Sequence, residues 1–446
     1  MEKHKPKKVI IMGAAGRDFH NFLRFYKDNP NYDVVAFTAT QISGIEKRKF
    51  PKQLAGKLYK RDIPIYPEAK LGELIKKHGI HEVVFAYSDV SYTYVAEKSA
   101  VVNAAGADFI LMGPNTTMIK ARKPVISVCA VRTGSGKSQT SRYIVGILKK
   151  LGKKSVIIRH PMPYGDLIKQ EVQRFSSLSD LEKHNATIEE REDYEHHIRA
   201  GTVVYAGVDY EKILKQAEKE ADVIVWDGGN NDFPFYKPDL HVVVADPLRP
   251  GHELTHYPGS VNARMADVVV INKENSARKG DIETVVGNIR SVNQKALVVH
   301  ADSLVKIEKP NEVKGKRVLI VEDGPTMTHG NMSHGAGYVI AKQLGCKIVD
   351  PRKHAAGSIK ETFRKFTHLK EVLPAMGYSK RQLKELEATI NAAPCDAVII
   401  GTPIDLSLFM NIDKPSYKVS YELKEKKPGL LERSIVSTLA VVSKKA

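Results

Sequence analysis

The chain has 446 residues, 42% hydrophobic and 7% aromatic, and carries 69 Lys and Arg against 51 Asp and Glu, a net charge of +18. That length predicts two or three domains with ample core. No run approaches the ~20 apolar residues of a bilayer span, so no membrane partner is expected. The Lys residues are spread along the chain and no block joins basic with aromatic residues. The excess charge therefore reads as a lysine-rich surface able to steer anionic small molecules, not as a nucleic-acid site. The basic N-terminus MEKHKPKK leads into a strand and not into a secretory apolar segment. Cys129, Cys346 and Cys395 have neither disulfide nor metal spacing. A cytoplasmic protein with three small core cysteines is expected.

Strand-like apolar runs alternate with amphipathic helical stretches throughout, which predicts an α/β protein with mainly parallel sheets. Residues 1–121 form the first unit, opening with KVIIMGAAGRDFHNFLRF: a strand, a tight Gly13–Gly16 turn and a helix. Further strands are expected at 33–39, near Ile65, at 82–88 and at 108–114. This unit is Rossmann-like, but it lacks a GxGxxG loop and an acidic residue after its second strand. A structural or partner domain is the favoured reading, with dinucleotide binding as the alternative. Lys123-Pro124 marks the join to the second unit, 122–305, with strands at 125–130, 155–159, 222–226, 241–245, 267–271 and 297–300. The charged segment 306–317 reads as a connector. Residues 306–446 form a C-terminal α/β extension with strands at 317–323, 347–350, 396–402 and 417–423, few enough to extend the preceding sheet.

The second unit opens with VISVCAVRTGSGKSQ, an apolar run, a glycine-bearing loop and Gly136-Lys137-Ser138. A strand, a phosphate-cradling turn and a helix start are what a nucleoside triphosphate needs. Backbone N–H groups from Arg132, Thr133, Gly134, Ser135, Gly136 and Gln139 surround the phosphates, Lys137 reaches the outer ones, and the Ser138 hydroxyl ligates Mg²⁺. The first glycine usual in such loops, five residues before Gly136, is Val131 here.

ADVIVWDGGNNDFPF ends an apolar strand at Asp227, followed by Gly228-Gly229. A carboxylate there serves Ser138 by holding Mg²⁺ or its water. ADVVVINKEN places Asn272-Lys273 at a strand end, in the manner of a base-recognition motif whose fourth position is usually Asp and here is Asn275. ATP is the expected nucleotide, with GTP left open. In SVIIRHPMPYGDL, Arg159 and His160 are candidates to meet an anionic substrate, and His160 and Asp166 are candidates for proton or metal work. IEEREDYEHHIRAG reads as a solvated, charged helix face. Arg249, His329, His334 and Arg352 lie in loops rich in Gly, Ser or Thr and suited to phosphate or carboxylate. The spacing of His329 and His334 does not suit a zinc site.

These motifs resemble the SIMIBI class of P-loop proteins, with Arg132 where many members have lysine. More closely, AVRTGSGKSQTSR, IRHPMPYGDL, WDGGNNDFPF, DPLRPGHE, INKEN, VEDGPTMTHG, LPAMGYS and GTPIDL are similar to a family of predicted GTPases often labelled cyclic 2,3-diphosphoglycerate synthetase. The resemblance runs over nearly the whole chain. It implies a cytoplasmic Mg²⁺-dependent synthetase in which ATP activates a phosphorylated small acid, forming cyclic 2,3-diphosphoglycerate. A regulatory or metallochaperone-like GTPase is the alternative, and a homo-oligomer is left open.

Overall fold

The computed structural model describes residues 5–40, 48–159, 165–229, 232–328, 330–376 and 380–444. His160 and His329 lie outside the described residues.

The N-terminal unit is a six-stranded sheet in the order 49–50, 63–67, 32–39, 7–12, 82–85, 108–111, parallel except at its first edge strand. Its strands are runs of Val, Ile and Phe buried on both faces, as a helix-covered parallel sheet requires. Phe19 of its first helix and Phe22 just after it pack edge-to-face or tilted against Phe37 and Phe50. The unit docks on the rest of the chain through aromatic contacts. The His20 ring stacks on Phe235 at 4.0 Å, and the buried Arg17 guanidinium lies 5.1 Å from the ring centres of both Phe233 and Tyr257.

Apart from a two-stranded antiparallel pair of 90–91 with 256–257, the other strands among the described residues belong to one 13-stranded sheet. Its first half runs 172–175, 203–207, 155–159, 223–227, 125–130, 240–245, 268–271, 297–307, antiparallel only at the outermost pair. The strands at 172–175 and 203–207 go beyond the sequence expectation; the first has only four residues, two of them polar, so little in its composition marks it. The second half continues 416–425, 397–400, 317–323, 347–348, with 373–375 also beside 317–323. Strand Leu297–Ile307 joins the halves. Its start pairs parallel with Val268–Ile271, and its end pairs antiparallel with Ser416–Glu425. The C-terminal residues therefore extend the sheet of the second unit. Among the described residues no helix is long and apolar enough to cross a membrane.

Parallel order places the C-terminal ends of strands 125–130, 155–159, 223–227, 240–245 and 268–271 along one edge. Ligands gather at that edge in such sheets, because helix N-termini and loops converge there.

Candidate active site

Strand Val125–Ala130 is completely buried and releases the chain into the loop 131–136, after which helix Lys137–Lys150 begins. Gly134 and Gly136 adopt φ of +81° and +107°, where side chains are strained. A Cβ on Gly136 would fall 2.0 Å from Asn272 Nδ2, so glycine is required there on both counts. Val131 stands where a glycine is usual because the chain is still extended: its N–H donates to the Val244 carbonyl at 2.9 Å.

The loop is held by cations and amides bound to its carbonyls. Arg249 donates to the carbonyls of Thr133 at 2.8 Å and Gly330 at 2.6 Å, and pairs with Asp246 at 2.7 Å. Lys273 donates to the Gly134 carbonyl and to Asp246, and Asn272 Nδ2 donates to the Ser135 carbonyl at 2.9 Å. Asp246 is fully buried; burial pushes its carboxyl up, but Lys273 and Arg249 outweigh that and hold it below the usual range. Arg249, read from sequence as a substrate contact, is thus a positioning residue for the loop. Lys273 is likewise turned to the loop. Asn275 exchanges two hydrogen bonds of 3.0 Å with the Ser303 backbone, which occupies the amide that a base would use. From the N-terminal unit, Asp89 pairs with Arg132 at 2.6 Å and accepts from the Thr133 N–H at 3.3 Å.

At the end of strand Val223–Asp227 the Asp227 carboxylate is buried under the loop. Lys137 Nζ lies 2.5 Å from Oδ1, Ser141 Oγ donates to Oδ1 at 2.8 Å, and Arg159 and His197 approach Oδ2 at 3.1 and 3.4 Å. Burial raises the Asp227 carboxyl, yet Lys137 and Arg159 win and keep it ionised well below the usual range. Ser138 lines the adjacent cavity, and its hydroxyl has no hydrogen-bond partner among the described residues. A free hydroxyl and a carboxylate ionised at neutral pH are the hard oxygen donors that Mg²⁺ takes, so these two residues fit that ion.

The loop opens into a cavity of about 1500 Å³. One side is the P-loop with Arg159; another is the turn Gly13–Asp18 of the N-terminal unit. The far wall is acidic. Glu192 and Asp193 come from helix Ile188–Arg199, and Glu322 and Asp323 from the end of strand Arg317–Asp323. Glu322 is buried, accepts the N–H groups of Gly335 at 3.2 Å and Tyr338 at 2.9 Å, and caps helix Ala336–Gln343. Burial pushes its carboxyl up to about 7. Asp323 accepts from Thr326, and Glu192 accepts from Thr402 Oγ1 at 2.6 Å. Burial pushes the Asp323 carboxyl up.

Helix Ile188–Arg199 overturns its sequence reading as a solvated face. Glu190, Glu192, Glu195 and His197 are buried, Tyr194 and Ile198 anchor it in the core, and Asp193 pairs with Arg159 at 2.6 Å. Tyr194 and Ile198, one turn apart amid charge, were the signal for an inward face. His334 lines the cavity. Asp166 does not: it is exposed and caps its own turn through the Ile168 and Lys169 N–H groups. Arg352 is half-exposed and paired with Asp350 at 2.7 Å, away from the cavity.

No family model matches the chain. It is 59% identical over 426 residues to the arginine synthetase ArcE of Thermococcus kodakarensis, covering 95% of each chain. The chain belongs to the ArcE family. It is accordingly an enzyme, a synthetase. A cyclic 2,3-diphosphoglycerate synthetase of Thermococcus gammatolerans is 24% identical over 141 residues, 31% of this chain and 29% of that one. Among solved structures, LpxK from Aquifex aeolicus in complex with ATP covers 78% of this chain and 98% of its own, with 13% identity and a TM-score of 0.46.

Proposed function

We propose that this enzyme uses ATP and Mg²⁺ to form arginine, by activating the oxygen of a ureido amino acid and replacing it with ammonia. A guanidinium carbon carries three nitrogens and a ureido carbon carries two and an oxygen, so the oxygen must be made a leaving group. Attack of that oxygen on the γ-phosphorus forms the new O–P bond and breaks the bond to the β-phosphate, releasing ADP. Ammonia then forms the C–N bond, and phosphate departs with the oxygen. The proton given up by ammonium passes to a carboxylate. The same logic, phosphoryl activation followed by displacement, would serve the cyclisation of 2,3-diphosphoglycerate.

The observation that carries the choice is the acidic wall. Glu192, Asp193, Glu322 and Asp323 face the cavity into which the phosphate loop opens. The carboxyl oxygens of that wall are acceptors suited to the N–H groups of a guanidinium or ammonium ion. Of the cations expected to receive a polyanion, Arg249 is engaged on the loop carbonyls and Arg352 on Asp350, while Arg159 lines the cavity paired with Asp193 and Asp227. The relative of nearly full length is the arginine synthetase, which favours the same reading.

Lys137 leaves Asp227 to neutralise the β- and γ-phosphates, and the loop amides cradle them. Ser138 and Asp227 would hold Mg²⁺, which when bound offsets phosphate charge. The test is incubation with ATP, Mg²⁺, ammonium and a ureido amino acid, beside a reaction with 2,3-diphosphoglycerate in their place. Arginine and ADP formed in step support the proposal. ADP release and a cyclic product only with the bisphosphorylated acid would replace it with the second reading.

A further inference from the structure

We propose that His196 holds the incoming nitrogen nucleophile, its Nε2 accepting an N–H from ammonia. This rests on the arginine-forming reading.

His196 lines the cavity one turn from Glu192 on helix Ile188–Arg199. Its Nδ1 lies 3.1 Å from the Glu192 carbonyl oxygen. A carbonyl only accepts, so Nδ1 carries the ring proton and Nε2 keeps its lone pair. That Nε2 is shielded from solvent and has no hydrogen-bond partner among the described residues. A buried, unpaired acceptor is costly unless a ligand satisfies it, and the ligand it calls for is an N–H donor.

The surroundings keep the ring neutral. Burial depresses the imidazole first, and His197 and Arg142 add to it; Asp227 opposes them and loses. A neutral ring cannot repel an incoming ammonium ion. Asp193, three residues earlier on the same helix, also lines the cavity, with its charge already shared with Arg159 at 2.6 Å. His196 thus offers an acceptor without a repelling charge, which suits a nitrogen donor. The stretch His196-His197 splits its work: His197 reaches Asp227 under the phosphate loop, and His196 faces the substrate space.

The test is steady-state kinetics of His196→Ala with ammonium chloride varied at saturating ATP and ureido substrate. The KM for ammonium is expected to rise about tenfold, the value of one lost hydrogen bond, with the KM for ATP changed less than about twofold. His196→Gln, which retains an acceptor at similar reach, is expected to recover part of the affinity and serves if the alanine variant does not fold. An unchanged KM for ammonium, or an equal rise for all three substrates, overturns the proposal. A second readout is independent of turnover. The His196 Nε2 nitrogen resonance of ATP-loaded wild type is expected to shift on adding ammonium chloride, and a resonance that stays fixed also overturns it. Wild type that makes no arginine but shows the shift would locate the failure in the reaction and not in the ammonium site.

Discussion

Lys137 Nζ lies 2.5 Å from Asp227 Oδ1, so the lysine proposed to serve the phosphates is held by the carboxylate suited to the metal. The same carboxylate also meets Arg159 and His197. One buried anion thereby balances a set of cations. Under the proposed function, nucleotide binding exchanges one counter-ion for another.

Lys137→Ala should lower ATP-dependent turnover by about 10²- to 10³-fold, the usual cost of removing one preorganised charge contact. Ser141 and Arg159 still hold Asp227, so circular dichroism should stay native. Undiminished turnover would take Lys137 out of the site.

Asp227→Asn leaves buried Lys137 and Arg159 without their anion and should cost about 3–5 kcal/mol of stability near neutral pH. The sign follows from its depressed titration: the Asp227 contribution is full above the ordinary carboxylate range and fades as pH falls through the lower folded value. Denaturant unfolding of wild type and variant should therefore converge in acid. A gap independent of pH would contradict the ion-pair account. The Mg²⁺ titration of activity should also weaken in the variant.

Glu322 behaves oppositely. Its carboxyl is raised to about 7 by burial, so the stability it gives is complete below the unfolded value near 4.5 and is lost as pH rises through about 7. Glu322→Gln should remove up to ~3 kcal/mol of that pH dependence. Unfolding free energies at pH 5 and pH 8 measure it, and parallel curves for the two proteins would refute it.

Gly136→Ala should abolish nucleotide binding, because its φ of +107° and the 2.0 Å approach of Asn272 leave no space for a methyl group. Gly401→Ala would place a Cβ 2.3 Å from the Glu322 carboxylate and should destabilise the acidic wall by ~1–3 kcal/mol. Calorimetric ATP titration separates them: the first loses binding, the second keeps most of it.

Arg249→Ala should raise the KM for ATP about tenfold and leave the KM of the ureido substrate nearly unchanged, since Arg249 holds loop carbonyls. A selective rise for the second substrate would restore it as a substrate contact. Arg352→Ala, outside the cavity, should leave both within about twofold.

The sequence by itself determined the alternation of buried strands and helices, the loop Gly134–Ser138 and the strand-end Asp227. Each of these is local: a run of Val and Ile, a glycine at positive φ and a lysine at a helix start carry their meaning within about fifteen residues. The tertiary structure decided what faces the loop. Glu192 and Asp323 are far apart in sequence and line one cavity, because strand Leu297–Ile307 carries the sheet from one half to the other. Whether Arg249 touches substrate or loop, and whether Ile188–Arg199 faces water or the cavity, depends on which surface each packs against. Charge pattern alone does not record that, because a buried ion pair and a solvated one have the same composition.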